Sequence, residues 1–102
     1  MELSENARQV LGYIPYGGDN AIPVRVIAKN MDRRAFTVNN AVKELREHGY
    51  PVCASHANPR GIYMARNVAE MEEYVRMTCK RLAELNETYV AARRCLKHMK
   101  GE

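Results

Sequence analysis

The sequence predicts a mainly helical α+β fold: three short helices, a two-stranded hairpin and one long final helix. Three observations indicate this. Apolar residues recur at helical spacing through the first half of the 102-residue chain. The pattern changes to two short extended runs between residues 50 and 65, a stretch that also holds Gly, Pro and Asn. Residues 68–100 then contain neither Gly nor Pro, as expected of one continuous helix.

The composition is that of an ordinary globular domain, with 46% hydrophobic and 27% charged residues. No apolar run approaches the roughly 18 residues that a membrane span needs, and the N-terminus has no signal-peptide core. The three cysteines cannot all pair within one chain. We therefore expect a reduced, soluble, cytoplasmic protein without a membrane partner. The net charge of +4 and the pI near 9.1 favour a polyanionic partner.

The first helix is predicted over residues 5–14, with Ser4 as its N-cap and Pro15 as its stop. Its inner face holds four apolar residues: Ala7, Val10, Leu11 and Ile14. Residues 16–20 have the composition of a loop, and Ala21-Ile22 is expected to form a brief extended segment.

The second helix is predicted to start after Pro23, and the third to cover about residues 33–48 before Gly49. The inner face of the second helix holds Val24, Ile27, Ala28 and Met31. The inner face of the third holds Val38, Ala41, Val42 and Leu45. Phe36, the single phenylalanine, is expected to pack in the interior.

Two strands are predicted at residues 50–55 and 61–65, joined by a loop over residues 56–60 with hairpin chemistry. The last helix is expected to begin at Asn67, because the side chain of Asn67 can cap the helix together with Glu70.

Three helices followed by a hairpin is the element order of a winged helix-turn-helix domain. Residues 27–34 (IAKNMDRR) resemble the second helix and turn of prokaryotic repressors, and residues 42–52 (VKELREHGYPV) resemble the end of a recognition helix that leads into the wing. Over residues 4–66 the chain is similar to the DNA-binding domain of the biotin-operon repressor type and to small winged-helix regulators of phages and mobile elements. It departs from the usual Gly followed by Ser or Thr in the turn, where it has Asp32-Arg33-Arg34.

The resemblance implies that the helix at about 33–48 enters the major groove of DNA, with the loop at 56–60 on the backbone or in the minor groove. Residues 25–46 carry six basic groups against two acidic ones. Their net charge of +4 equals the net charge of the whole chain. Six residues of types that bind phosphates or base edges are the predicted DNA contacts. They are Arg33, Arg34, Thr37, Asn40, Lys43 and Arg60.

The last helix carries an apolar seam whose positions alternate three and four residues apart. The seam comprises Val68, Met71, Val75, Thr78, Leu82, Leu85, Tyr89, Ala92, Leu96 and Met99. Such a helix outruns a small domain, so we expect it to bury the seam against a second copy of the chain. The predicted dimerisation residues are Val75, Leu82, Leu85, Tyr89 and Leu96. Residues 1–66 are thus predicted as the winged domain and residues 67–100 as the helix for self-association.

The sequence leaves the geometry of self-association open. The helix starts acidic and ends basic, which suits its own dipole and would also suit an antiparallel partner. A parallel pair, an antiparallel pair and a bundle are all compatible with the seam, and its first half can also lie back on the winged domain.

The leading hypothesis is a dimeric, sequence-specific double-stranded DNA-binding protein, either a transcriptional regulator or a phage or mobile-element accessory factor. The alternative is an adaptor that uses the winged domain to dock on replication or transcription machinery, with a host or phage protein as its partner.

Catalytic chemistry is not expected. The chain has neither a phosphate-binding glycine loop nor a nucleophile elbow, so the sequence predicts no enzyme activity and no cofactor. Cys53 and His56, like Cys95 and His98, have chelating separation. Neither pair has a second half nearby, so no metal is predicted.

Overall fold

The computed structural model describes residues 2–102, and these residues form an α+β fold that is mainly helical, as predicted. The helices are α1 (Glu5–Tyr13), α2 (Val24–Met31), α3 (Ala35–Glu47) and α4 (Val68–Met99), with a 3₁₀ turn at Gly18–Asn20. The strands are β1 (Val52–Ser55) and β2 (Gly61–Met64), which pair antiparallel. Within residues 2–102, no helix has both the length and the hydrophobicity that crossing a membrane requires.

The start of α1 is capped as predicted, because the Ser4 hydroxyl accepts a hydrogen bond from the Ala7 N–H at 3.1 Å. The helix ends at Tyr13, where Ile14 turns to extended backbone just before Pro15. The inner face buries Ala7, Val10 and Ile14 as expected.

The turn between α2 and α3 depends on Asp32, which adopts the left-handed conformation with φ 55° and ψ 49°. The N–H of Arg33 donates to the Ala28 carbonyl at 2.9 Å and so closes the end of α2. Aspartate is one of the few residues besides glycine that enter this conformation readily. The departure from glycine at this position is therefore accommodated, and α3 begins at Ala35.

The hairpin is in the register Val52↔Met64 to Ser55↔Gly61. Ile22, in the predicted extended segment, bridges the outer edge of β2. Its N–H donates to the Ile62 carbonyl at 3.0 Å, and the Ile62 N–H donates back at 2.8 Å. The segment between α1 and α2 thereby covers the free edge of the hairpin.

The core lies between α1, α2, α3 and the hairpin. Its fully buried side chains include Val10, Ile27, Val38, Leu45 and Val52. These residues come from α1, α2, α3 and β1, so the core fixes α3 against the rest of this unit.

The chain divides into two compact units, the first ending at Met71 and the second covering Glu72–Glu102. At the start of α4 the Asn67 side chain accepts a hydrogen bond from the Glu70 N–H at 2.9 Å, as predicted. The Glu70 carboxylate accepts from the Arg66 N–H at 2.7 Å and from the Gly18 N–H at 3.1 Å. These bonds lower the pKa of Glu70 and tie the first turn of α4 to the 3₁₀ turn.

Candidate nucleic-acid interface

The outer face of α3 is set by its helical phase. Val38, Ala41, Val42 and Leu45 are buried. The opposite face presents side chains spaced four, three and four residues apart. They are Phe36, Asn40, Lys43 and Glu47, all of them exposed. The predicted contacts Asn40 and Lys43 thus lie together on the outermost face of α3.

Phe36 corrects a prediction. It was expected to pack in the interior, but 69% of its surface is exposed. The physical reason is its phase, because Phe36 lies on the face opposite Val38 and Val42. The periodicity of α3 carries this signal, whereas the hydrophobicity of the residue alone points to the core. Phe36 therefore adds an apolar group to a face of polar and charged side chains.

The N-terminal end of α3 is basic. Arg33 and Arg34 are exposed, and Arg34 holds the N-cap position with extended backbone. Among the described residues no side chain caps this end of the helix. The N–H groups and dipole of the first turn therefore attract anions, and two arginines stand beside them. Phosphate oxygens fit this arrangement.

One flank of α3 is occupied by α1. Glu44 accepts hydrogen bonds from the Ser4 N–H at 2.6 Å and from the Ser4 hydroxyl at 2.7 Å, which lower the pKa of its carboxyl. Thr37 precedes Glu44 by two helical turns on the same flank and is half-buried. Of the predicted contacts on α3, Thr37 is therefore the least accessible.

The other flank of α3 and the hairpin enclose an open groove of about 520 Å³. Polar side chains from both elements line it: Asn39 and Arg46 from α3, and Ser55, His56 and Arg60 from the hairpin. Arg46 is fixed to β1, because its Nε donates to the Val52 carbonyl at 3.0 Å. The predicted wing contact Arg60 thus shares a groove with α3 residues.

Asn39 and Arg46 were not among the predicted contacts. They lie seven residues apart and so share a flank of α3. Periodicity gives that spacing, but it does not tell which flank the hairpin packs against. Only the tertiary fold reveals that this flank faces the hairpin.

The basic excess of residues 25–46 belongs to the first unit. Of its two acidic groups, Glu44 is bonded to Ser4 and Asp32 forms the turn. Residues 25–46 carry six basic groups against these two acidic ones, while Glu47 lies on the same exposed face of α3 as Lys43. Such a surface attracts polyanions at long range.

The cysteines do not form a metal-binding cluster with other ligands. Within residues 2–102 no three His, Cys, Asp or Glu side chains are grouped to hold a metal ion. The Cys53 thiol is buried 3.7 Å from the Met71 sulfur, and burial raises its pKa. Cys79 and Cys95 are exposed free thiols.

No protein-family model, no curated protein and no solved structure matches this chain.

Proposed function

We propose that this chain is a dimeric, sequence-specific double-stranded DNA-binding protein built on a winged helix-turn-helix domain. It acts as a transcriptional regulator or as an accessory factor of a phage or mobile element. The observation that carries the proposal is the exposed surface of α3, where Arg33, Arg34, Phe36, Asn40 and Lys43 stand at or near its N-terminal half.

The winged-helix assignment is supported by the arrangement of elements. α2 is joined to α3 by a short turn with left-handed Asp32, and an antiparallel hairpin follows α3 directly. The Ile22 bridge gives that hairpin a third extended segment. In this assignment α3 is the recognition helix and residues 56–60 are the tip of the wing.

In the major groove Phe36, Asn40 and Lys43 of α3, and the two arginines before it, each have a chemical counterpart. Arginine binds guanine in bidentate fashion, and asparagine does the same with adenine. Arg33 and Arg34 reach guanine edges or phosphates beside the first turn, Asn40 reads a base edge, and Lys43 neutralises a phosphate. Phe36 contacts a thymine methyl group, the apolar feature of that groove.

The wing adds contacts beside the recognition helix. Arg60 and His56 line the groove that Asn39 and Arg46 also line. A phosphate strand that runs along this groove meets cations from both elements. The wing therefore orients the domain on the duplex, while the bases are read by the outer face of α3.

Dimerisation joins two such domains. In the single chain, Leu82 is 66% exposed and Leu85 is 65% exposed. Burying one leucine side chain stabilises an assembly by about 1.5–3 kcal/mol. A two-fold dimer contains two copies of Leu82 and two copies of Leu85, and it buries all four side chains. Two linked domains read two half-sites, and the linkage raises their joint affinity.

Selection from random duplex DNA, followed by titration against the enriched sequence, tests this function. We expect an enriched motif with two half-sites and an affinity that falls steeply as salt rises, because bound phosphates release counterions. Arg8→Ala is the control variant for charge and should keep this affinity, since it removes one exposed arginine from α1, where Arg8 pairs with Glu2.

The adaptor alternative is favoured by one observation, the 69% exposure of Phe36, because exposed aromatic residues anchor protein interfaces. The same titration separates the two functions. No enriched motif and a flat response to salt would indicate that Phe36 docks on a protein.

A further inference from the structure

The second unit consists of helix with an unpartnered seam. Within α4, which the structure describes throughout, no residue is buried. The central part of the seam contains large and small side chains in mixed order. It comprises Val75, Thr78, Leu82, Leu85, Tyr89 and Ala92, and is called the central seam below.

The spacing of the central seam is the same in both directions along the helix. Its intervals are three, four, three, four and three residues, centred between Ala83 and Glu84. In a second helix that runs antiparallel about this centre, a central-seam residue therefore lies opposite every central-seam residue of the first helix. Leu82 meets the partner's Leu85 at the middle of such a pair.

From this symmetry and from the two arguments below we infer that α4 pairs with α4 of a second copy in antiparallel orientation, centred between residues 83 and 84. The inference rests on the proposed dimer and adds its orientation and register, with a second copy of this chain as the occupant of the seam.

Side-chain size favours this register. Tyr89, the bulkiest residue of the central seam, meets the partner's Thr78, and Val75 meets the partner's Ala92. Each outer layer thus combines a larger with a smaller side chain, while the leucines pack together in the centre. A parallel pair sets Tyr89 against its own copy and Ala92 against its own copy. One layer is then crowded and another underfilled, and both faults destabilise a packed interface.

Charge favours the same orientation. Glu72 flanks the seam near its start and Arg93 flanks it near its end, so antiparallel helices bring Glu72 beside the partner's Arg93 at both ends. Glu73, by contrast, is paired with Arg76 within its own helix. The opposed helix dipoles add to the attraction. A parallel pair instead gathers the acidic starts together and the basic ends together.

A distance between two Cys95 side chains tests the orientation. Cys79→Ser leaves Cys95 as the only exposed thiol among residues 2–102, and Cys53 is 0% exposed. A nitroxide on Cys95 then allows pulsed dipolar EPR on the intact dimer. In the inferred register the two Cys95 residues are 23 positions apart along the axis, about 35 Å at 1.5 Å per residue. A parallel pair places them at one level, about 10 Å apart between helix axes.

A peak near the longer distance supports the inference. A short distance overturns the antiparallel orientation and leaves the proposed dimer standing. No pulsed dipolar signal and no dipolar broadening of the continuous-wave spectrum, in a sample that still binds DNA, overturns the dimer and this inference together. Glu84→Cys with Cys79→Ser and Cys95→Ser is the matched control, because a label near the centre reports dimer formation in either orientation.

Charge exchange gives a second, independent test. Glu72→Arg and Arg93→Glu should each weaken the dimer about three- to thirtyfold, measured by sedimentation. The double variant E72R/R93E should restore wild-type affinity, because each new arginine again meets a glutamate. Additive weakening in the double variant would contradict the antiparallel register.

Discussion

Glu44 on α3 holds Ser4 at the start of α1 through two hydrogen bonds, one from the Ser4 N–H at 2.6 Å and one from its hydroxyl at 2.7 Å. The hydroxyl in turn accepts from the Ala7 N–H at 3.1 Å. One carboxylate thus fixes the capped end of α1 on the flank of α3. The orientation of α3 in the first unit therefore depends on a polar contact as well as on the apolar core.

Glu44→Gln should lower the unfolding free energy at neutral pH, since an amide accepts at one atom only. These hydrogen bonds lower the pKa of Glu44 in the folded chain. Their contribution is fully present above the pKa of the unfolded carboxyl and is lost as the pH falls through the lowered folded value. Urea unfolding should show a difference between wild type and variant that shrinks with acid. Glu47→Gln on the exposed face is the control, and an equal effect there would contradict the account.

Gly61→Ala should destabilise the first unit by about 2 kcal/mol or more. Gly61 has φ +134°, and a Cβ there would approach the Ile22 backbone to 2.1 Å. Relief of that contact would break the bridge between Ile22 and Ile62. The matched control is Gly12→Ala in α1, where a Cβ meets nothing within 4 Å. This substitution should stabilise the helix by about 0.5–1 kcal/mol. Thermal unfolding of both variants checks the prediction, and a neutral Gly61→Ala would refute it.

Asn40→Ala should cost roughly 1–3 kcal/mol of binding free energy on the enriched DNA site and relax the base preference at one position. Phe36→Ala should leave folding unchanged, because Phe36 is 69% exposed, and should weaken discrimination for thymine. Arg60→Ala should weaken binding evenly across sequences, as expected of a backbone contact. Titration against single-base variants of the site measures all three. Equal loss on every sequence for Asn40→Ala would show that α3 does not read bases there.

The double variant L82E/L85E should weaken the dimer by more than about a hundredfold, because it would place carboxylates in an apolar interface. The chain should stay folded, since Leu82 and Leu85 are exposed within one copy. Affinity for a duplex with two half-sites should fall, while affinity for one half-site should not change. Ala83→Glu, which adds a carboxylate beside the seam, is the control. A dimer of normal strength in L82E/L85E would place self-association elsewhere.

Local chemistry made much of the fold predictable. The Ser4 cap, the Asn67 cap and the apolar spacing of α3 are encoded within a few residues of sequence, and all three are present. The pairing of Ile22 with β2 depends on residues 40 positions apart, so the sequence indicated an extended segment but not its neighbour. The hydrophobicity of Phe36 predicts burial, whereas its helical phase places it on the exposed face of α3.

The candidate site was predictable in part because helical periodicity is encoded within a few residues of sequence. Periodicity alone separates the outer residues Asn40 and Lys43 from the buried ones. The groove shared by Asn39, Arg46 and Arg60 exists only because the hairpin packs on one flank of α3, which a single helix does not specify.

The affinity of the double variant R33A/R34A for the enriched duplex tests the central claim most directly. If the N-terminal end of α3 binds DNA, the loss should be at least about thirtyfold, with a salt slope lower by about two phosphate contacts. Circular dichroism should show an unchanged fold, because both side chains are exposed. An affinity equal to that of the Arg8→Ala control, with the same salt slope, would contradict the proposal that α3 is the DNA-reading helix.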